Sequence, residues 1–192
     1  MKKGKLTMTE TFDIKLERVE AAELPQFTKE LQKAFAIAVQ EKFGESDPIP
    51  SEEEVRSSFY SEGAAAYHIV LNGKHAGGAV LQIHEKTQRN SLDLFFISPE
   101  HHSRGLGFAA WKAIEAKYPD TAVWETITPY FEERNIHFYV NKCGFHIVEF
   151  FNEHHIDPDM PRPENQLGEP VAGTDTYFRF EKVMKRSEEP AL

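Results

Sequence analysis

The sequence predicts an α+β (mixed α/β) domain, built from one central, mostly antiparallel and twisted sheet with helices on both faces. Segments with the period of strands and of helices interleave along the chain in the order β-α-α-β-β-β-α-β-α-β-β. An Asn72-Gly73 pair between two strand-like segments also indicates an antiparallel hairpin inside that sheet. We place the domain at residues 11–184 and expect residues 1–10 and 185–192 to be flexible tails.

The first half of the chain begins with a strand and two helices. Residues 11–19 alternate apolar and polar side chains, which predicts a half-buried strand. Ser51 and Glu54 form a capping box that starts a second, shorter helix. Apolar residues at steps of three and four predict the first helix, which continues towards Gly44: Leu24, Phe27, Leu31, Phe35 and Ala38.

A hairpin and a third strand follow. Residues 66–71 and 74–86 flank the Asn72-Gly73 turn, and the second of these strands contains Gly77-Gly78, a pair typical of a bulge or a close backbone approach. Residues 88–91 predict another turn. Residues 92–98 are nearly all apolar, which indicates a central buried strand.

The second half alternates helices and strands. Helices are predicted over 108–118 and 130–143, and strands over 122–128, 145–151 and 175–183. Residues 157–173 contain four prolines and two glycines without periodicity, which predicts a long loop.

Charge and cysteine content exclude several classes of protein. The chain has 22 Lys and Arg against 31 Asp and Glu, so nucleic-acid and anionic-membrane binding are not expected. Thirteen acids against six bases lie between residues 10 and 62, which indicates either an ordinary solvated surface or a wall that would attract a small cationic molecule. Cys143 is the single cysteine, which excludes an internal disulfide. We expect a cytoplasmic protein that is neither exported nor membrane-spanning.

The most informative stretch is residues 97–108, where an apolar strand ends, a loop carries Gly105 and Gly107, and a helix begins. Glycines allow backbone amides to approach a ligand closely, and a helix N-terminus offers unpaired N–H groups. This combination favours an anion such as pyrophosphate. The Lys-containing P-loop motif is absent, and a dinucleotide fingerprint would belong on the first strand of a βαβ unit.

The segment His-Ser-Arg-Gly-Leu-Gly at 102–107 resembles the acetyl-CoA motif, Arg/Gln-x-x-Gly-x-Gly/Ala, of the Gcn5-related N-acetyltransferase (GNAT) superfamily. An apolar strand ending Phe-Ile-Ser-Pro-Glu precedes it, and a helix that leads into Cys143-Gly144-Phe145 follows it. The resemblance covers roughly residues 11 to 184. It implies an acetyl-CoA-dependent N-acetyltransferase with a single GNAT-like domain and acetyl-CoA as cosubstrate.

By this resemblance, the backbone from His102 to Phe108 would bind the CoA pyrophosphate, with Arg104 adding charge. The pantetheine arm would pair with the strand edge at Phe96 and Ile97, beside a bulge and a separation from the next strand. The full set of implied cofactor-binding residues is Phe96, Ile97, His102, Ser103, Arg104, Gly105, Leu106, Gly107, Phe108 and Asn135.

The chain departs from the family pattern at two positions. His102 stands where the family has Arg or Gln, so one side-chain contact to phosphate is lost or replaced. Tyr139 lies five residues before Gly144, where the family's Tyr-x-x-x-Gly-Phe spacing has four. A shift of one position along an α-helix changes the direction of a side chain by about 100° around the helix axis.

Acetyl transfer needs an amine that loses a proton and a thiolate that gains one. Tyr139 is the candidate acid, with a packed core aromatic as the alternative. Asp93 and Glu125 are the candidate bases, because apolar neighbours would raise their pKa values by desolvation, and the alternative is that both face solvent.

The histidine pairs 101–102 and 154–155 lack metal-ligand spacing, so no metal site is predicted. We expect a small-molecule amine acceptor, with a homodimer left open. Two rival hypotheses are a non-catalytic acyl-CoA-binding module, in which acid and base are absent, and a dinucleotide-binding oxidoreductase.

Overall fold

The computed structural model describes residues 12–44, 50–102, 105–159 and 176–185. Four α-helices are present in this part of the chain: α1 (Leu24–Phe43), α2 (Glu52–Tyr60), α3 (Leu106–Lys117) and α4 (Glu133–His137), the last of which runs directly into a π-helix (Phe138–Cys143). The strands are β1 (Ile14–Arg18), β2 (Ala64–Leu71), β3 (Lys74–Gln82), β4 (Arg89–Ile97), β5 (Val123–Pro129), β6 (His146–Phe151) and β7 (Tyr177–Val183). The predicted tail at residues 1–10 lies outside the described residues, as does most of the tail at 185–192.

All seven strands belong to one sheet in the order β1-β2-β3-β4-β5-β7-β6. Every neighbouring pair is antiparallel except β4 and β5, which run parallel. The predicted fold class and element order are therefore confirmed. No helix in the described ranges is long and apolar enough to span a membrane.

Local sequence signals account for the element ends in the first half. The Ser51 hydroxyl accepts a hydrogen bond from the Glu54 amide at 3.2 Å, and the Glu54 carboxylate accepts one from the Ser51 amide at 2.7 Å. Asn72 and Gly73 have φ values of 51° and 78°, which the tight hairpin turn requires.

The predicted turn at residues 88–91 is wrong. β4 already begins at Arg89, and β3 ends at Gln82 rather than continuing to residue 86. Polar residues extend β4 because each has a partner: the Asn90 amide group donates to the Thr121 hydroxyl at 2.7 Å, and its oxygen accepts from the His84 amide. The turn therefore lies earlier, and Gln88 takes the positive φ of 54° that follows it.

Alternate side chains of the central strands feed two separate cores. Val80 of β3 packs with the apolar stripe of α1 and with Val55 of α2, whereas its neighbours Ala79 and Leu81 pack on the opposite face. Trp111 of α3 and Trp124 of β5 are both fully buried in that second core and meet edge to face at 5.3 Å. The helices thus cover both faces of the sheet, as predicted.

The centre of the sheet is irregular at two adjacent places on β4. Val80 pairs with Leu94 and Leu81 with Leu92, so Asp93 is the extra residue of a β-bulge. On the other side, β4 pairs with β5 over three residue pairs, the last of which is Ser91 with Glu125. From there to its end at Ile97, β4 has no ladder partner on the β5 side among the residues that the structure describes. These are the bulge and the strand separation that the resemblance implies.

Of the predicted loop at residues 157–173, the structure describes 157–159. Asp157 is buried, and its carboxylate accepts a hydrogen bond from the Tyr177 hydroxyl at 3.1 Å. This contact ties the start of the loop to β7.

Candidate functional site

A cavity of about 1180 Å³ opens where β4 and β5 separate. Its walls come from four places: α1, the end of β4, the start of α3, and the segment from the end of β5 through α4 into the π-helix. The cavity is lined by Ala34, Phe35, Ile37, Phe95, Phe96, Ile97, His101, His102, Gly105, Leu106, Gly107, Phe108, Tyr130, Phe131, Glu132, Glu133, Arg134, Asn135, His137, Phe138 and Lys142. All predicted cofactor-binding residues that the structure describes are in this lining.

The glycine-containing turn forms one end of the cavity. Gly105 caps α3 in the left-handed conformation, with φ 78° and ψ 2°. The first hydrogen bond of the helix runs from the Ala109 amide to the Gly105 carbonyl, so the amides of Leu106, Gly107 and Phe108 precede the helical ladder. These groups form a cradle suited to an anion. Ser103 and Arg104, the other predicted members, lie outside the described residues.

Gly107 allows α3 to start close to the opposite wall. A Cβ at this position would lie 3.4 Å from the Phe138 ring and 3.7 Å from the Ile97 side chain, which is ordinary van der Waals contact. The cradle, the end of β4 and the π-helix therefore meet around one residue, and alanine, which the family motif permits there, would also fit.

The edge of β4 forms the floor of the cavity. Phe96 and Ile97 pair with Gly78 and Gly77 of β3 on one side, and their other side faces the gap left by β5. A Cβ on Gly77 would be far too close to the Phe96 carbonyl and 3.0 Å from the Ile97 Cα. Of the predicted Gly77-Gly78 pair, Gly77 is therefore a close backbone approach directly behind this edge, whereas Gly78 leaves space for the rings of Phe27 and Phe96.

His102 joins the edge of β4 to α4. Its Nε2 lies 2.7 Å from the Ile97 carbonyl oxygen, and its Nδ1 lies 3.0 Å from Nη1 of Arg134. Burial lowers the pKa of the His102 imidazole; the Ile97 carbonyl opposes this shift, and the Arg134 charge adds to it. Because a carbonyl only accepts and a guanidinium only donates, the ring is neutral, with its hydrogen on Nε2.

Tyr139 is in the core rather than in the cavity lining. Its ring packs against Phe145 and Phe180 at 5.5 and 5.7 Å, and only 6% of the residue is exposed. Burial raises the pKa of the Tyr139 phenol far above its usual value, while a hydrogen bond with the Thr126 side chain partly offsets the increase. A buried neutral phenol can donate a proton only if the reacting thiolate reaches it, so its role as acid stays a prediction.

The π-helix absorbs the one-residue difference in the Tyr139 spacing. The amides of Gly144 and Phe145 both donate to the Tyr139 carbonyl, so the helix closes over five residues instead of four. A π-turn accommodates one inserted residue without breaking the helix. It allows Tyr139 to remain on the buried face while Gly144, at φ 79°, still ends the helix.

Asp93 and Glu125 are not in the apolar surroundings that we expected. Asp93 is exposed at the bulge, where its carboxylate accepts hydrogen bonds from Ser58, Gln82 and Ser91 at 2.9, 2.8 and 2.6 Å. Glu125 is partly exposed and forms an ion pair with Arg89. The expectation was wrong because it placed both side chains among their apolar sequence neighbours, whereas alternate strand residues point to opposite faces. Neither residue lines the cavity, and their role as bases stays a prediction.

Four charged residues in the cavity wall were not found from the sequence: Glu132, Glu133, Arg134 and Lys142. Glu132 is buried directly before α4, close enough to raise the pKa of Tyr139 further. Arg134 is exposed on α4, next to the predicted Asn135. The only signal for Arg134 was indirect: with His at 102 in place of Arg, another cation is needed near a phosphate.

No cluster of three or more histidine, cysteine or acidic side chains suited to a metal ion occurs in the part of the chain that the structure describes. Cys143 is buried, and burial raises the pKa of its thiol to about 12, so it is a neutral core side chain. Cys143 is therefore not an accessible nucleophile at this cavity.

Comparison with known proteins identifies the fold and the family. The model of the acetyltransferase (GNAT) family matches residues 25–145. The uncharacterized protein YrkN of Bacillus subtilis (strain 168) is 58% identical over 175 residues, which cover 90% of this chain and 95% of that protein.

Solved structures share the fold at low sequence identity. The ribosomal-protein-S18-alanine N-acetyltransferase of Escherichia coli superposes with a TM-score of 0.62 at 16% identity, over 93% of this chain and 99% of that one. The spermidine N-acetyltransferase of Vibrio cholerae, in complex with CoA and spermine, gives 0.60 at 11% identity, over 88% and 95%. The match to the family model over residues 25–145 shows that this chain belongs to the acetyltransferase (GNAT) family of acetyl-CoA-dependent acyltransferases.

Proposed function

We propose that this protein is an N-acetyltransferase that moves the acetyl group of acetyl-CoA to a primary amine of a small, cationic acceptor. One observation carries the proposal: a free strand edge and the amides at a helix N-terminus converge on a single cavity where β4 and β5 separate. A strand edge suits the amide groups of pantetheine, and a helix N-terminus suits pyrophosphate.

Acetyl-CoA would lie with its pyrophosphate at Leu106, Gly107 and Phe108 and its pantetheine arm along Phe96 and Ile97. Asn135 of α4, which lines the same cavity, would contact the arm from the opposite wall. This arrangement directs the thioester into the gap between β4 and β5. The phosphate site would be completed by Ser103 and Arg104.

The reaction would proceed by direct attack in a ternary complex. The neutral amine nitrogen forms a bond to the acetyl carbon, the carbon–sulfur bond breaks, and CoA leaves as a thiolate. One proton goes from the amine to a base, and one goes from an acid to the thiolate. Tyr139 is the proposed acid, while Asp93, Glu125 and the buried Glu132 are the carboxylates proposed as bases.

Two acidic residues favour a cationic acceptor at one part of the cavity wall, and the lining also contains the basic residues Arg134 and Lys142. The acidic residues are Glu132 and Glu133, both from the segment after β5. α1 contributes apolar side chains instead: Ala34, Phe35 and Ile37. The acidic stretch at residues 10–62 supplies no acid to the described lining, so attraction of an ammonium group at the cavity itself would come from Glu132 and Glu133.

The shared fold leaves two kinds of acceptor for experiment to separate. One structural relative is named for spermidine and another for the alanine of ribosomal protein S18, so the fold is compatible with small polyamines and with protein amines. A wall that combines two acids with apolar and aromatic side chains favours a small amine with an alkyl chain, because the chain can lie on the apolar part.

The first experiment is a thermal-melt series with acetyl-CoA, CoA and NADH. A ligand at about 100 times its Kd stabilises a protein by about 2.7 kcal/mol. For a chain of this size, we expect a rise in Tm on the order of 5–10 °C with acetyl-CoA and CoA, and none with NADH. The absence of a shift with both CoA species would refute the proposal, and a shift with NADH alone would favour an oxidoreductase.

The second experiment distinguishes the enzyme from a non-catalytic CoA-binding module. Release of free CoA thiol is followed with a panel of polyamines, amino sugars and amino acids, and an alanine-terminated peptide represents protein amines. Turnover with one class identifies the acceptor. Binding of acetyl-CoA without thiol release in any mixture would favour the binding module.

Tyr139→Phe tests the acid, with Tyr67→Phe as the matched control. Both tyrosines are 6% exposed, and the Tyr67 hydroxyl is bonded to that of Tyr118 at 2.7 Å, outside the cavity. If Tyr139 is the acid, kcat falls by about 10²-fold or more in Tyr139→Phe alone. Equal kcat values in the two variants would assign Tyr139 to the core. Glu132→Gln, Asp93→Asn and Glu125→Gln rank the bases in the same assay.

A further inference from the structure

The departure at His102 has a structural counterpart on the opposite wall of the cavity. The inference drawn from it rests on the proposed function, because it concerns how the phosphate groups of CoA are held. The family motif has Arg or Gln at this position, whereas a neutral histidine supplies no charge. By the resemblance, Arg104 adds one charge within the motif, and a side-chain contact that replaces the one lost at position 102 must come from another element.

Arg134 is a cation fixed at that place by His102. The Nη1 atom of Arg134 donates to Nδ1 of His102 at 3.0 Å, and Nε2 of His102 donates to the Ile97 carbonyl at 2.7 Å. The imidazole therefore links the end of β4 to the first turn of α4. A guanidinium has five N–H donors, so this contact leaves others free to bind an anion.

The charges around the imidazole are consistent with this arrangement. Arg134 from α4 disfavours a positive charge on the ring, and Glu100, from the turn that follows β4, favours one. Burial outweighs Glu100 and lowers the pKa, which keeps Nδ1 available as an acceptor. His101, Glu132, Glu133 and His137 are the other titratable groups of the adjoining lining.

We propose that His102 is a positioning residue that holds Arg134 at the anion cradle of α3, and that the Arg134 guanidinium binds a phosphate group of CoA. His102 and Arg134 line the same cavity as Gly105, Leu106 and Gly107. Arginine suits this role because its planar fork matches two phosphate oxygens. A second cation for the phosphates, in addition to Arg104 of the motif, is thus supplied by α4.

Titration calorimetry with CoA on the full chain tests both roles. Arg134→Gln is expected to weaken Kd by about 10-fold or more, as for the loss of a hydrogen bond to a charged group. His102→Ala should weaken it by a smaller factor, about 3- to 10-fold, because Arg134 remains but is no longer held. Lys86→Gln, an exposed site in the turn between β3 and β4 with the same change of charge, should bind as wild type.

The double variant distinguishes positioning from direct binding. If His102 acts through Arg134, then His102→Ala has no further effect on Kd in the Arg134→Gln background. Steady-state kinetics should show a raised KM for acetyl-CoA with kcat nearly unchanged, because the contact is distant from the reacting carbonyl. Nitrogen NMR of the imidazole should show a neutral ring protonated at Nε2; protonation at Nδ1 would contradict the positioning role.

The same titrations with 3′-dephospho-CoA identify the phosphate. If Arg134→Gln also weakens the affinity for this ligand, the guanidinium binds the pyrophosphate. If the variant binds this ligand as tightly as the wild type does, the guanidinium binds the 3′-phosphate. If the wild type binds CoA and the Arg134→Gln variant has the same Kd as the Lys86→Gln variant, the inference is overturned and the proposed function is left intact. No CoA binding by the wild type overturns both.

Discussion

Gly77 connects the packing of the sheet to the candidate site. It lies on β3 opposite Ile97, and a Cβ there would stand 3.0 Å from the Ile97 Cα and far closer than that to the Phe96 carbonyl oxygen. Both obstacles are backbone atoms, so no rotamer change relieves them. Gly77→Ala must therefore move β4 away from β3 by on the order of 1 Å, towards the gap where the pantetheine arm is proposed to pair.

The expected magnitudes follow from this geometry. Overpacking of this kind costs about 1–3 kcal/mol of unfolding free energy. In a chain of this size, that corresponds to a fall in Tm of about 2–12 °C. A displacement of about 1 Å at a substrate-binding edge can reduce kcat/KM by up to about 100-fold, and we expect a reduction of about 10-fold to 100-fold for acetyl-CoA.

Gly63→Ala provides a matched control directly before β2, opposite Ile83 just after the end of β3. A Cβ on Gly63 would lie 2.6 Å from the Ile83 carbonyl oxygen, again a backbone clash, and φ is 83°. This variant should lose as much stability as Gly77→Ala or more, but Ile83 does not line the cavity, so acetyl-CoA kinetics should be unchanged at temperatures where it is folded. Equal kinetic losses in both variants, or wild-type kinetics and Tm in Gly77→Ala, would refute the reasoning.

Three further predictions concern the cradle, a buried ion pair and a buried histidine. Gly105→Ala should lower Tm and acetyl-CoA affinity, because the φ of 78° at this position costs an alanine about 1 kcal/mol or more. Gly107→Ala should retain affinity because there is room for its Cβ, and similar affinities in the two variants would contradict this prediction. Lys182→Met should lower the unfolding free energy measured in urea by about 2–4 kcal/mol, because Lys182 is 2.5 Å from the buried Glu115 carboxylate. The double variant Lys182→Met/Glu115→Leu should recover much of the lost unfolding free energy, and a single variant as stable as the wild type would refute a structural role. Burial lowers the pKa of His68 below its usual 6.5, so the unfolded chain binds more protons and stability falls by up to about 1.4 kcal/mol per pH unit as the pH drops below 6.5. His68→Phe should reduce this slope in urea titrations, and an unchanged slope would contradict the role of His68.

Much of the fold could be predicted from local signals. The capping box at Ser51, the Asn72-Gly73 turn and the apolar stripe of α1 each specify one element through interactions between near neighbours in the chain. Such signals predict whether a segment is a helix or a strand, but they do not predict where it ends when the end depends on a partner that is distant in the chain. β4 starts at Arg89 because Asn90 finds Thr121, a residue 31 positions away, and no local pattern contains that contact.

Most of the cofactor-binding part of the candidate site could also be predicted from the sequence. Gly105 and Gly107 can be placed because a glycine-bearing turn between an apolar strand and a helix is a continuous stretch of chain. Asp93 and Glu125 show the opposite case. Their exposure depends on which face of the sheet is covered by helices and on partners such as Gln82 and Arg89 from other strands.

The order of elements, the glycine-rich turn at the start of α3 and the resemblance to the family can all be predicted from the sequence, because each depends on residues that are close along the chain. Other features become visible only in the assembled fold. The π-helix shows how the extra residue after Tyr139 is absorbed, and the packing of the two sheet faces places Tyr139 in the core. The same packing brings Arg134 to His102 across 32 positions of chain. Such contacts depend on how the whole sheet is assembled, and that information is not present in any single segment.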